Sequence, residues 1–201
     1  MTNPKGSGDS GVPDGAAAKT SDKVRGEWQH QYERGYAGLM ESEREIGRHG
    51  VIAEIISRKQ PGGTVLDAGC GTGILSRLLD LSKYRYTGVD IAENALAFAR
   101  SQLATGEATF VSADLRSMDF QQKFDAVVLN ETAYLVEPRD LDQIISRTCR
   151  QGSLLVYSVF QFANTADVIR CLRRHGASGR TVALRNMDDD IIWHIGWFNV
   201  G

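Results

Sequence analysis

Charge of one sign is missing from this sequence. Lys and Arg number 23 against 25 Asp and Glu, a formal charge of −2 at pH 7 with acids and bases interspersed. No single-sign field exists to gather polyanions, so neither nucleic acid nor a membrane surface is an expected partner. Cysteine is scarce as well. Cys70, Cys149 and Cys171 are odd in number and show no Cys-x-x-Cys spacing, so they are expected as reduced thiols rather than a disulfide framework. No run approaches the roughly 20 apolar residues that span a bilayer, and the first residues lack the basic-then-apolar order of a secretory signal. The expected setting is the cytoplasm, with the protein a monomer or homodimer.

What is present fits one domain with a tail, since a chain of 201 residues can bury a sizeable core. Residues 1–22 are rich in Gly, Ser, Asp and Pro and offer almost nothing to bury, which predicts a disordered tail. Residues 23–60 read as helical. Trp28, Tyr32 and Tyr36 recur at the spacing of one helical face, and Ile46, Ile52, Ile55 and Ile56 follow in a second segment that stops at Pro61-Gly62-Gly63.

From residue 61 to 201 strand and helix patterns alternate. TVLDAG, YRYTGVD, ATFVSAD, FDAVVLN and SLLVYSVFQF read as strands, with helical segments between most of them, which predicts a mostly parallel sheet between helices. RTVALRNM and DIIWHIGWFNV then alternate apolar and polar around Asp188-Asp189-Asp190, an antiparallel hairpin. The fold class is α/β: a Rossmann-like, seven-stranded, mostly parallel sheet with helices on both faces and an antiparallel C-terminal edge hairpin.

The first of these strands runs into VLDAGCGTGILS, with Gly69, Gly71 and Gly73 at alternate positions. Glycines there admit positive φ and let a ligand lie against bare amides at a helix N-terminus. The spacing is Gly-x-Gly-x-Gly. A dinucleotide fingerprint wants glycine where Ile74 stands, and a P-loop wants Gly-Lys-Ser/Thr. Asp67, just before the turn, repels a pyrophosphate and attracts an ammonium or sulfonium; a helix-capping role is its alternative.

At this point the sequence resembles the class I S-adenosylmethionine (SAM)-dependent methyltransferases over about residues 65–160. They carry the acid-x-Gly-x-Gly-x-Gly turn and an acid at the end of the second strand, matched here by Asp90. The resemblance implies cofactor contacts from Asp67, Gly69, Cys70, Gly71, Gly73, Asp90 with Ile91, Asp114 with Leu115 after the third strand, and Asn130 after the fourth. Asp90 is expected on the ribose hydroxyls, although a helix cap near Ala92 is the plainer alternative. The cofactor implied is SAM, with S-adenosylhomocysteine as product.

The sulfonium already activates its methyl group, so the protein's expected task is to align a nucleophile and exclude water. Glu131, Tyr134 and His194 are the candidate acid–base residues, and Trp28, Tyr32 and Tyr36 the candidate acceptor-binding lid or, equally, packing that docks the helix. No metal is expected, because Ser158 to Gln161 after the fifth strand offer no hard-cation ligands. NETAY lacks the two prolines of the Asn-Pro-Pro-Tyr motif of amino-methylating relatives. A small-molecule acceptor, methylated on O, N or an electron-rich carbon, is the expected substrate; a tRNA or protein acceptor and a non-catalytic SAM-binding subunit are the alternatives.

Overall fold

The computed structural model describes residues 20–103, 106, 108–162, 164–176, 178–187 and 190–201. Helix α1, Ser21–Gln31, continues into a π-helical turn, Tyr32–Tyr36, and a short α2, Ala37–Met40. Gly35 takes φ 96° inside this run, which bends the chain there. Helix α3, Glu43–Lys59, ends before Pro61. Then follow β1 (Gly63–Ala68), α4 (Ile74–Leu78), β2 (Tyr84–Asp90), α5 (Glu93–Ser101), β3 (Ala108–Ser112), β4 (Phe124–Asn130), α6 (Pro138–Thr148), β5 (Cys149–Phe160), α7 (Thr165–Arg173), β6 (Arg180–Arg185) and β7 (Ile192–Asn199). Helix α1 starts inside the segment expected to be a tail; residues 1–19 lie outside the described residues.

The seven strands form one sheet in the order β3-β2-β1-β4-β5-β7-β6. The first five are parallel, and β7 runs antiparallel between β5 and β6. Two of the three aspartates of the expected hairpin turn, Asp188 and Asp189, lie outside the described residues. Strand order reverses between β1 and β4, so the carboxyl ends of these strands open a crevice there.

Period-two alternation builds the core on both faces. Val65, Ala126, Val128, Leu154 and Val156 face one way, with Ile52, Ile55 and Ile56 of α3 and Leu75 of α4. Leu66, Val127, Leu129, Leu155, Tyr157 and Val159 face the other, with Leu141, Ile144 and Ile145 of α6. Ile46, expected with the isoleucines of α3, stands off that stripe and is 38% exposed. Among the described residues, no helix is long and apolar enough to cross a membrane.

Leu155, central in β5, has no exposed surface, whereas Val182 on edge strand β6 is 42% exposed. Leu155→Ala should cost about 2–5 kcal/mol of unfolding free energy in denaturant titration, and Val182→Ala about 0.5 kcal/mol or less.

Candidate functional site

A cavity of about 550 Å³ opens at the strand-order reversal. Its floor is the glycine turn after β1. The N–H groups of Gly69 and Cys70 both reach the Val89 carbonyl, at 2.7 and 3.1 Å, which curls the turn back onto β2. At Gly71, φ is 52° and a Cβ would lie 2.8 Å from the Tyr32 hydroxyl. A side chain is therefore excluded by backbone angle and by the helical segment above.

Asp90 ends β2 on the cavity wall. One carboxylate oxygen accepts the Gly71 N–H at 2.9 Å and the other the Ala92 N–H at 2.9 Å. Each oxygen keeps a lone pair for a ligand hydroxyl. Burial pushes its pKa up, and the N–H groups of Ala92, Gly71 and Ile91 oppose that shift. Asp114, also lining the cavity, accepts the Ser21 hydroxyl at 2.6 Å and pairs with Arg116 at 2.6 Å. Burial works against it, but the hydrogen bonds from Arg116 and Ser21 win and hold its pKa at about 2. Ile91 and Leu115 add apolar wall between these two acids.

The roof is α1 and the π-helical turn. Arg25 donates to the Ile91 carbonyl and the Ser112 hydroxyl at 2.9 and 3.0 Å, and Asn94 donates to the Gln29 carbonyl at 2.8 Å. At the end of α2, Glu41 takes the Thr72 hydroxyl at 2.7 Å and pairs with Arg77 at 2.5 Å. Trp28, Tyr32 and Tyr36 line the cavity, with ring centroids 5.9 Å apart for Trp28–Tyr36 and 5.3 Å for Tyr32–Tyr36. Burial pushes the Tyr32 and Tyr36 hydroxyls up, so both stay protonated.

Beyond the glycine turn lies a polar cluster that sequence reasoning missed. Glu45, Arg48 and His49 of α3 are all buried, at 3%, 2% and 6% exposed. Arg48 reaches Glu45 at 2.5 Å and Glu131 at 3.3 Å, and its guanidinium lies 5.4 Å from the Trp193 ring centroid. Its Nε has no partner. His49 Nδ1 meets the Glu45 carbonyl at 2.8 Å, and its Nε2 meets Asn130 Nδ2 at 2.7 Å. Burial, reinforced by the Arg48 charge, lowers the His49 pKa to about 3, so this ring is neutral. A signal for the cluster existed: positions 45, 48 and 49 fall on the same helical stripe as Ile52, Ile55 and Ile56.

Glu131 follows β4 in the left-handed region, φ 58°, uncommon for a non-glycine residue. Its carboxylate is surrounded by donors: Ser158 Oγ at 2.5 Å and Arg48 on one oxygen, Tyr134 Oη at 2.9 Å and the Phe160 N–H at 3.2 Å on the other. Burial, with Glu131 next to it, keeps the Tyr134 hydroxyl protonated.

The cavity thus brings together Gly69, Cys70, Gly71, Asp90, Ile91, Asp114, Leu115, Asn130, Glu131, Tyr134, Trp28, Tyr32 and Tyr36. Three expected residues stand outside it. Asp67 is beneath the floor, 2% exposed, bonded to the Tyr86 hydroxyl at 2.6 Å, because alternation along β1 turns it into the apolar layer with Val65. At Gly73 a Cβ would lie 2.9 Å from that of Ala99, so this glycine lets the turn and α5 pack closely. His194 alternates with the buried Trp193 on β7, pairs across the sheet with Val159 and Ala183, and meets Gln161 at 3.1 Å, away from the cavity.

Residues 65–151 match the family model described as a methyltransferase domain. The malonyl-[acyl-carrier protein] O-methyltransferase of Anoxybacillus flavithermus is 28% identical over 115 residues, 56% of this chain and 43% of that protein. The chain therefore spans less than half the length of that curated relative. Among solved structures, the 1,6-didemethyltoxoflavin-N1-methyltransferase of Burkholderia thailandensis, with its substrate and S-adenosylhomocysteine bound, superposes with a TM-score of 0.72 at 16% identity, covering 94% of both chains. The N-methyltransferase NodS of Bradyrhizobium japonicum WM9, with S-adenosylhomocysteine, does so at 0.67 and 18%, covering 85% of this chain and 97% of that one.

Burial in the apolar layer, only partly opposed by the Tyr86 hydroxyl, pushes the Asp67 carboxyl up to about 7. The folded chain then holds a proton that the unfolded chain releases above the ordinary carboxylate range. The stability this gives is complete at low pH and is lost as pH rises through about 7. Relative to wild type, Asp67→Asn should gain stability between pH 4 and 7, on the order of 1 kcal/mol per pH unit. Denaturant titration of both proteins across that range measures it, and parallel curves would contradict the shift.

Proposed function

Since the chain belongs to the class I SAM-dependent methyltransferases, we propose that it transfers the methyl group of SAM to a small-molecule acceptor held in the cavity above Asn130. The observation that carries this reading is Asp90, whose carboxylate ties the glycine turn to the start of α5 while facing the cavity. It is a pre-oriented acceptor for two neighbouring hydroxyls, as a ribose presents. The residues fit the rest of a sulfonium nucleoside. Ile91 and Leu115 supply an apolar slot for adenine beside Asp114. The bare backbone at Gly69 to Gly71 admits the amino-acid arm, and the unpartnered Arg48 Nε–H is a buried donor for its carboxylate.

When bound, the cofactor supplies a methyl carbon already activated by the sulfonium. The chain's contribution is orientation and exclusion of water. Helix α1 and the π-helical turn cover the cavity through the Arg25, Asn94 and Ser21 bonds, and Glu41 anchors the far end of the roof to the glycine turn. Glu131 acts as a positioning residue rather than a base. Three hydrogen bonds and the Arg48 ion pair engage its two oxygens, so the carboxylate is held by its neighbours rather than offered to a substrate proton. It fixes the Tyr134 hydroxyl and holds Arg48 in place. The methyltransferase of similar fold that holds 1,6-didemethyltoxoflavin, a small acceptor, agrees with this class of substrate.

Asp90→Ala should weaken binding of S-adenosylhomocysteine by about 1–3 kcal/mol in calorimetry, the loss of a charge-assisted pair of hydrogen bonds; unchanged affinity removes Asp90 from the ribose. Glu131→Gln should slow transfer of isotopic methyl label at least about tenfold while leaving the shape of the pH–rate profile unchanged. Loss of the acidic limb of that profile, the fall in rate at low pH, would make Glu131 the base after all.

A further inference from the structure

Two hydrogen-bonding groups on the cavity wall have their polarity locked by residues behind them. The first is Asn130, 9% exposed. A backbone carbonyl only accepts, so His49 Nδ1, 2.8 Å from the Glu45 carbonyl, carries the ring proton. The neutral ring's Nε2 then has only a lone pair, and the Asn130 atom 2.7 Å away is its N–H donor. The amide cannot turn over without setting two lone pairs against each other. Its Oδ1 is thereby left as a buried acceptor with no partner. The second is Tyr134, whose hydroxyl proton is spent on Glu131 at 2.9 Å, so that only oxygen lone pairs remain for a ligand.

The charge of the cavity as a whole has the same sense. Six carboxylates and two guanidiniums line the cavity. Of the guanidiniums, Arg116 is paired with Asp114, and Arg48 is bracketed by Glu45 and Glu131. A ligand group that brings further lone pairs or negative charge meets repulsion here, and one that brings N–H bonds meets acceptors. Tyr36 and Trp28 in the roof offer aromatic faces to a cation or to the carbon frame that carries it.

From these locked acceptors and the acidic wall we infer that the methyl acceptor is an amine, and that His49 is a specificity-determining positioning residue acting through Asn130. The inference rests on the methyltransferase reading above and narrows it. In the neutral amine, one N–H donates to Asn130 Oδ1 and one to Tyr134 Oη, which leaves the nitrogen lone pair free. That pair forms the new N–C bond while the S–C bond breaks and its electrons return to sulfur. The methylated ammonium then gives one proton to water. A carboxylate has no N–H or O–H to offer either group.

The test uses the full chain saturated with S-adenosylhomocysteine and titrated in a calorimeter with phenethylamine, hydrocinnamate and phenethyl alcohol, which share a ring and differ in head group. Phenethylamine should bind about tenfold or more tighter than hydrocinnamate. Equal affinities, a preference for the carboxylate, or no heat with the amine overturns the inference. Tyr134→Phe should lower amine affinity and leave that of hydrocinnamate unchanged. His49→Ala frees the Asn130 amide to turn, so the amine-to-carboxylate ratio should fall severalfold, a change that mere loosening of the fold would not produce. In parallel, isotopically labelled SAM with a cell extract should give a base-stable product retained on a cation exchanger. Label in a base-labile ester or a neutral ether overturns the amine assignment alone. No label in any small molecule, with S-adenosylhomocysteine still bound, overturns the methyltransferase reading beneath it.

Discussion

One carboxylate holds the site in shape. Asp90 ends β2, and its two oxygens take the amides of Gly71 and Ala92, so the turn after β1 and the turn after β2 are fastened at a single point. Both turns sit where strand order reverses, the place in an open parallel sheet where loops diverge and leave a crevice. Without that fastening the glycine turn, with its left-handed residues, has little to select one conformation among many. With it, a rigid floor faces the cavity while the carboxylate still has lone pairs to give.

Around this floor the molecule spends buried polarity unevenly. Asp67 lies under the floor in an apolar layer with one hydroxyl for company, and its charge is disfavoured there. Glu45 and Arg48 are buried too and Glu131 is half-buried, but each charge has an opposite partner, and Trp193 covers one face of the guanidinium. A buried ion set of this kind contributes little net stability and a good deal of geometry, because removing any member leaves another uncompensated. Its effect at the cavity is to fix directions: Glu131 fixes the Tyr134 proton, and His49 fixes the Asn130 amide. The left-handed backbone at Glu131 belongs to the same arrangement, turning its carboxylate back toward Ser158 and Phe160.

The sheet, the helices on its two faces and the edge hairpin were legible in the alternation of periods along the chain, because burial on both faces of a parallel sheet forces long apolar runs separated by helical stripes. Asp90 was legible too, from its offset past the glycine turn. Asp67 and His194 stand near the crevice end of the sheet but outside the cavity, because alternation turns Asp67 into the apolar layer with Val65 and sets His194 on the face opposite the buried Trp193. Arg48 and His49 were passed over although their stripe is the buried one. A Glu–Arg pair at i, i+3 looks the same on a solvent face as on an inward one.

By itself, then, the sequence determined the order of elements and the glycine turn with the acid one strand later, since these follow from local backbone preference and short spacing. Tertiary structure alone decided which polar groups meet across the chain, as Asn130 with His49 and Glu131 with Arg48. Those pairs are 81 and 83 residues apart in sequence. Hydrogen-bond polarity is a property of the pair in contact, and no local pattern carries it over such a distance.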